Sequence, residues 1–393
     1  MSDPDFVTNF ARTNFRGDRR VFGIRRADRR AHMYIIGKTG TGKSTLLETM
    51  IRQDIKNGDG LALLDPHGDL VEKVLDRLPE NRRADLIYFD VPDRNQTVGF
   101  NPLGHVAEDK RPLAASGLIE VFKKLWADSW GPRMEYILRN TVITLLDKTD
   151  STLADIPKLL DDKAFRKAAL FYSRNEHVRR FWLKEYEGYP ARLRAEAIAP
   201  IQNKVGTFLS NPVLKKILTE SEIKVNLRKI MDDRQVLLVN LAKGKIGEDT
   251  AALLGALLVS RFALAALSRA NIAENDRRDF YLYLDEFQAY GTLSLANMLS
   301  ELRKYRLSMV LSHQFLTQLT PELQAAILGN VGSTIAFRVG AEDAEILEKE
   351  FRPEFSATDL VNLPNYSIYL KLMVDGAVSR PFSGETLRPP ISR

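Results

Sequence analysis

The chain has 393 residues, 44% hydrophobic and 27% charged, a balance that suits a globular protein of two or three domains at roughly 100–200 residues each. It contains no cysteine and five scattered histidines, which excludes a disulfide framework and a thiolate metal site and argues against structural zinc. A net charge of +6 and a pI near 9.2 are compatible with a polyanionic partner without requiring one.

The opening MSDPDF is polar and acidic, with no signal peptide visible. Next comes a basic approach, FRGDRRVFGIRRADRRAHM, with three Arg-Arg pairs. It reads either as a solvated face or as a nucleic-acid or subunit contact. Met33-Tyr34-Ile35-Ile36 is a short β-prone run, followed by Gly37-Lys38-Thr39-Gly40-Thr41-Gly42-Lys43-Ser44 and an apolar-periodic helix. This is G-x-x-x-x-G-K-[ST] in the strand–loop–helix context it needs. The glycines let backbone N–H groups turn toward phosphate oxygens at a helix N-terminus, which already favours anions. Lys43 supplies a point charge to the β- and γ-phosphates, Ser44 a hydroxyl to Mg²⁺, and Thr45 a contact to the α-phosphate.

Further strands are expected at Leu61–Asp65, Gln235–Leu241, Phe280–Asp285, Leu307–Ser312 and Ser333–Val339, with helical patterns between most of them. That alternation predicts an α/β fold with a mostly parallel central sheet. Residues 103–221 break it: helical spacing punctuated by Pro157, Pro190, Pro200 and Pro212 predicts an inserted all-α domain. The domain reading is therefore 1–102 for the N-terminal segment and first part of the nucleotide-binding domain, 103–221 for the insertion, and 222–393 for the second part. The apolar run Ala251–Leu267 carries Arg261 and is shorter than the roughly 20 residues that span a bilayer. It reads as a buried helix of the α/β core. The tail after Phe382 reads as loose.

The strand FYLYLD ends in Asp285-Glu286. Phosphoryl transfer to water asks for one carboxylate near the metal and another near the nucleophile. Asp285 and Glu286 can divide those tasks; the alternative is that they cap the segment after them. Gln314, at the tip of the Leu307–Ser312 strand beside His313, could reach a γ-phosphate or orient water. Arg303 and Arg338 are two candidates for an arginine that stabilises transition-state charge, each equally readable as a surface arginine.

Together FGIRRADRRAHMYIIGKTGTGKSTLL, LALLDPHGDL, YLYLDEFQAY and LSHQF resemble the FtsK/HerA superfamily of hexameric pumping ATPases. Within it the likeness is greatest to motor domains of the coupling proteins of conjugation and type IV secretion. The helical stretch starting near WGPRMEYILRNTVITLLD is similar to their all-α domain, and the resemblance covers nearly the whole chain. It implies a RecA-like fold, ATP and Mg²⁺ as cofactors, a homohexameric ring, DNA as cargo, and relaxase or other secretion components as partners. It also implies Walker roles for Lys43, Ser44, Asp285 and Glu286, a sensor role for Gln314, and a trans-acting arginine at Arg303 with Arg338 in reserve. Asp65 and Asp69 match a family segment near the nucleotide and receive no chemical role. Lys243 and Lys245, around Gly244, read either as a pore segment for phosphate contacts or as a glycine-bearing turn with exposed lysines. Membrane-anchored relatives begin with transmembrane helices; this chain as given is expected to be cytoplasmic, with any tether supplied by a partner. Two other readings stay open: a HerA-like ATPase working with a nuclease, and a nucleotide-dependent recruitment module for relaxase-bound DNA or protein cargo.

Overall fold

The β-prone runs become the centre of an eleven-stranded sheet in the computed structural model of the chain. It describes residues 5–15, 17–95, 97–220 and 223–389. The first four residues, Arg16, Gln96, Ser221, Glu222 and the last four lie outside the described residues, and with them parts of the polar start, of the insertion boundary and of the tail.

The strands are β1 (Val7–Thr13), β2 (Val21–Arg25), β3 (Met33–Ile36), β4 (Gly60–Asp65), β5 (Leu86–Asp90), β6 (Val236–Asn240), β7 (Phe280–Leu284), β8 (Leu307–His313), β9 (Ser333–Ala336), β10 (Ser367–Lys371) and β11 (Phe382–Thr386). Their order across the sheet is β2-β1-β11-β10-β9-β3-β8-β7-β4-β6-β5. From β9 to β5 every pairing is parallel; from β9 to β2 every pairing is antiparallel. All six expected strands are present. Those at the centre are buried on both faces, for example FYLYL and VLLVN, which is why they read as continuous apolar runs.

The sequence reading missed β5 and the antiparallel edge. β10 alternates buried and half-buried residues over SIYLK, and β11 is FSGET, with no apolar run. The tail after Phe382 is therefore not loose as far as it is described. Residues 382–386 pair with β10 and β1, and Leu387 N donates to the Phe10 carbonyl at 2.8 Å.

The chain divides into an α/β unit (Met1–Asp90, Arg228–Ala242 and Arg269–Arg393) and a helical unit (Val91–Leu227 and Lys243–Ser268). The whole sheet belongs to the first. The apolar run read as a helix of the α/β core belongs to the second. It lies in a 21-residue helix, Glu248–Ser268, packed on helix Arg111–Leu125. A helix apolar on all sides must be buried or in lipid, and 78% of its most apolar window is buried. By length and composition alone this helix could cross a membrane. The helical unit is centred on Trp126, Phe181, Trp182 and Tyr186, all buried, and Trp182 Nε1 donates to Thr144 Oγ1 at 2.8 Å.

The basic approach has an internal task. Arg26 pairs with Asp59 at 2.7 Å, Arg29 with Asp54 at 2.6 Å and Arg30 with Asp279 at 2.8 Å. Arg26 and Arg29 are buried, so neither the solvated nor the nucleic-acid reading applies to them. Arg29 also stacks on the Tyr281 ring and donates to the Tyr283 hydroxyl at 2.7 Å, which in turn donates to Asp54. This network ties β3's approach, the helix Lys43–Lys56 and β7 together, and so sets the phosphate loop against the strand that carries Asp285.

Candidate nucleotide site

Parallel register brings the candidate residues to one edge of the sheet. Ile36 of β3 lies opposite His313 of β8, and Leu311 of β8 opposite Leu284 of β7. The phosphate loop after β3, Gln314 after β8 and Asp285-Glu286 after β7 therefore leave the same ends of adjacent strands, where ligands bind in open α/β sheets.

The loop Gly37–Gly42 leads into the helix Lys43–Lys56, whose N-terminus has no side-chain cap and no acidic residue in its first turn. The N–H groups of a helix's first turn have no partner within the helix, so an anion is favoured there. Gly42 has φ +123°, and a Cβ there would stand 2.9 Å from the Tyr366 ring and 3.1 Å from the Phe337 ring. Lys43 is buried. Its ammonium folds back onto the carbonyls of Gly37 (2.5 Å) and Lys38 (3.1 Å). Burial holds its pKa below the usual lysine value, against the pull of Asp285 and Glu286. Ser44 begins the helix beside it and Thr45 follows.

Asp285 and Glu286 are also buried. Burial first, then Asp65 and Glu286, push the Asp285 carboxyl up to about 6. Glu286 sits in the left-handed region (φ 52°, ψ 53°), a strained backbone that clusters at functional sites. Its carboxylate accepts from Gln314 Nε2 at 2.6 Å and from Gln288 Nε2 at 2.5 Å. Gln314 Oε1 in turn accepts from Thr39 Oγ1 at 2.9 Å. The predicted Lys43, Asp285, Glu286, Gln314 and phosphate-loop residues thus converge.

The remaining candidates separate. His313 is buried and paired with the Tyr34 hydroxyl at 3.1 Å, and burial pushes it down to about 4. It is part of the core. Asp65 accepts from the backbone N–H groups of His67, Leu70 and Val71 and so orders the turn after β4, while Asp69 is exposed. Arg338 holds Lys38 N through its carbonyl at 2.8 Å, and its guanidinium reaches Leu363 O and Asn365 Oδ1. Arg303 is exposed just before β8 begins, at the opposite end of that strand from Gln314. Lys243 and Lys245 lie in a short helix of the helical unit, Lys245 exposed and Lys243 half-buried; they do not belong to the unit that holds the phosphate loop.

Two residues of this site went unread in the sequence. Gln288 follows Glu286 by two positions, a proximity that could have flagged it. Tyr366 gave no signal. It lies far along the chain, has φ 66°, and its backbone N–H donates to the Thr41 carbonyl at 2.8 Å. It lines a cavity of about 910 Å³ together with Thr45, Glu48, Arg52 and Thr386.

The fold, the phosphate loop and the carboxylates are those of a nucleotide-handling protein, and comparison with known proteins places it further. The family model for the central domain of helicase HerA matches residues 27–261, more than half of the chain. The chain belongs to the FtsK/HerA superfamily of P-loop ATPases. A second model, the TraM recognition site of TraD and TraG, matches residues 279–349. Comparison with curated proteins gives no match. Among solved structures, this HerA-family chain is similar to the plasmid coupling protein TrwB in complex with ADP and Mg²⁺ (16% identity, TM-score 0.66, 99% of this chain and 96% of that chain covered). It is similar to TrwB with a non-hydrolysable ATP analogue (15%, 0.65, 100% and 96%) and to VirB4 of Thermoanaerobacter pseudethanolicus (14%, 0.60, 99% and 98%). At these identities the likeness establishes a shared RecA-like fold with its helical insertion.

Proposed function

We propose that the chain is an ATP-driven motor of the coupling-protein type, hydrolysing ATP between subunits of a homohexameric ring to move or deliver DNA. The observation that carries this reading is the convergence of Lys43, Asp285, Glu286, Gln314 and Thr39 at one sheet edge. It provides a phosphate cradle, an acidic residue for a metal, and a second carboxylate with donors around it.

In this reading Lys43 and the first-turn N–H groups hold the β- and γ-phosphates, and Thr45 meets the α-phosphate. Glu286 takes the proton of the attacking water and Gln314 orients that water or senses the γ-phosphate. The base and ribose occupy the cavity beside Tyr366. Among the described residues no three acidic or histidine side chains come together as a metal cage. Mg²⁺ characteristically takes one or two protein oxygens and completes its shell with phosphate and water. Ser44 and the under-compensated Asp285 fit that need. When bound, Mg²⁺ would neutralise charge on the phosphates.

A strand of seven residues spans about 23 Å at ~3.3 Å per residue. That length separates Arg303 from its own chain's phosphate loop. Arg303 therefore suits a finger presented to a neighbouring subunit, whereas Arg338 is committed beside its own loop. Lys243 and Lys245 are assigned to DNA phosphates. The match of residues 279–349 to a TraD and TraG model supports a coupling-protein role, with relaxase or other conjugation components as partners.

The test is steady-state ATP hydrolysis without DNA, with single-stranded DNA and with duplex DNA, at two salt concentrations. Glu286→Gln should bind ATP yet lose about 10²–10⁴-fold in kcat. A DNA motor shows stimulation that fades with salt. Hydrolysis indifferent to DNA would instead favour a protein cargo, and ATP binding without hydrolysis a recruitment module.

A further inference from the structure

Both oxygens of the Glu286 carboxylate are engaged by glutamine amides, from different directions. Gln314 Nε2 reaches Oε1 at 2.6 Å, and Gln288 Nε2 reaches Oε2 at 2.5 Å. An ionised carboxylate only accepts, so each amide must present its N–H₂. The two arms differ in what holds them. Gln314 is linked through its own oxygen to Thr39 in the phosphate loop, where a γ-phosphate would compete for both side chains. Gln288 stands on the turn Phe287–Ala289, which has no part in the phosphate loop. That turn is locked by the burial of Phe287 and Tyr290. Gly291 N also donates to the Phe287 carbonyl at 2.8 Å, and its lack of a Cβ lets the Phe287 ring pack against it, where a Cβ would come within 2.4 Å.

We propose that Gln288 is a positioning residue for hydrolysis. It anchors one oxygen of Glu286 permanently, while Gln314 caps the other only until nucleotide draws it away. With Gln314 on Oε1 and Gln288 on Oε2, one acceptor site on each oxygen is taken and the carboxylate is held turned toward the two amides. When Gln314 and Thr39 turn to phosphate, Oε1 loses that donor and is free to accept from the attacking water. Gln288 then keeps the carboxylate from rotating out of line, against the strained backbone at Glu286. Proximity without orientation is worth little in proton transfer, which is why an anchor that touches neither phosphate nor water matters. The inference rests on the ATPase reading above.

The experiment uses the full chain with Gln288→Met, which keeps the bulk and removes the donor, and Gln288→Glu, which sets a like charge against Glu286. Hydrolysis, affinity for a fluorescent ATP analogue and the unfolding midpoint are measured for each. Loss of one hydrogen bond to a charged group predicts a fall in kcat of about tenfold to a hundredfold for Gln288→Met and a larger fall for Gln288→Glu. KM, analogue affinity and midpoint should stay within error of the wild type for Gln288→Met. A Gln288→Met enzyme with wild-type kcat, beside an inactive Glu286→Gln, overturns this inference alone. A Gln288→Met enzyme whose kcat falls only together with affinity or the midpoint also overturns it, because Gln288 would then be merely structural. A wild-type chain that binds the analogue without hydrolysing ATP overturns this inference and the ATPase reading together.

Discussion

Asp54→Asn removes one charge from the Arg29–Asp54 pair and changes almost no volume. Arg29 is fully enclosed, its side chain 2% exposed and that of Asp54 0%. Burial works against the guanidinium, but Asp54 and the tyrosines around it hold its pKa well above the usual arginine value. The pair is bidentate, at 2.6 and 3.0 Å. Breaking a buried pair from one side leaves an uncompensated charge and costs about 3–5 kcal/mol. The asparagine oxygen can still accept one N–H, so the loss should fall near 3. With a urea dependence of about 3 kcal/mol per molar, at the upper end for small proteins, the unfolding midpoint should fall by roughly 1 M. Because Asp54 sits on the phosphate-loop helix and Tyr283 on β7, KM for ATP should rise as well. The double change Arg29→Met with Asp54→Leu should recover most of the midpoint. The assay is urea unfolding followed by tryptophan-independent circular dichroism, with ATP kinetics alongside. An Asp54→Asn midpoint equal to wild type would refute the claim that this network carries an unscreened buried charge.

Three further outcomes are expected. Arg303→Ala and Lys43→Ala should each be inactive, yet their mixture should regain part of the hydrolysis if Arg303 acts on a neighbour's site; no recovery in proven mixed rings would return Arg303 to an ordinary surface residue. Gly42→Ala should weaken binding of a fluorescent ATP analogue by about tenfold or more, since strain of this kind costs of order 1–3 kcal/mol and its Cβ meets the Tyr366 and Phe337 rings; an unchanged affinity would show that the loop relaxes freely. Burial pushes His32 down to about 4, with its ring bonded to Leu299 O and Met309 N. The folded value lies below the ordinary one, so the stability due to neutral His32 is complete above pH ~6.5 and is lost as pH falls from there to 4. The loss is about 3 kcal/mol. His32→Gln should flatten that acid limb in pH-resolved unfolding, and an unaltered limb would assign it to other groups.

Local chemistry alone determined much of this protein. G-x-x-x-x-G-K-S between a β-prone run and a helix admits few other structures, because its glycines, lysine and serine work through backbone geometry written in adjacent residues. Central strands such as FYLYL and VLLVN announce themselves because both of their faces are buried. What adjacent residues cannot encode is partnership across the chain. Whether Arg29 meets water, DNA or Asp54 depends on a strand and a helix packing around it. The antiparallel edge is assembled from alternating or polar segments such as SIYLK and FSGET, whose burial depends on the neighbours they find. Tyr366 reaches the phosphate loop only because β10 and β11 close that edge of the sheet. The hold of Gln288 and Gln314 on Glu286 exists only because β7 and β8 run parallel as neighbours and leave the sheet at the same end. Sequence carried the identity of the reacting groups; tertiary structure decided which of them touch, because contact between distant segments is a property of packing rather than of spacing.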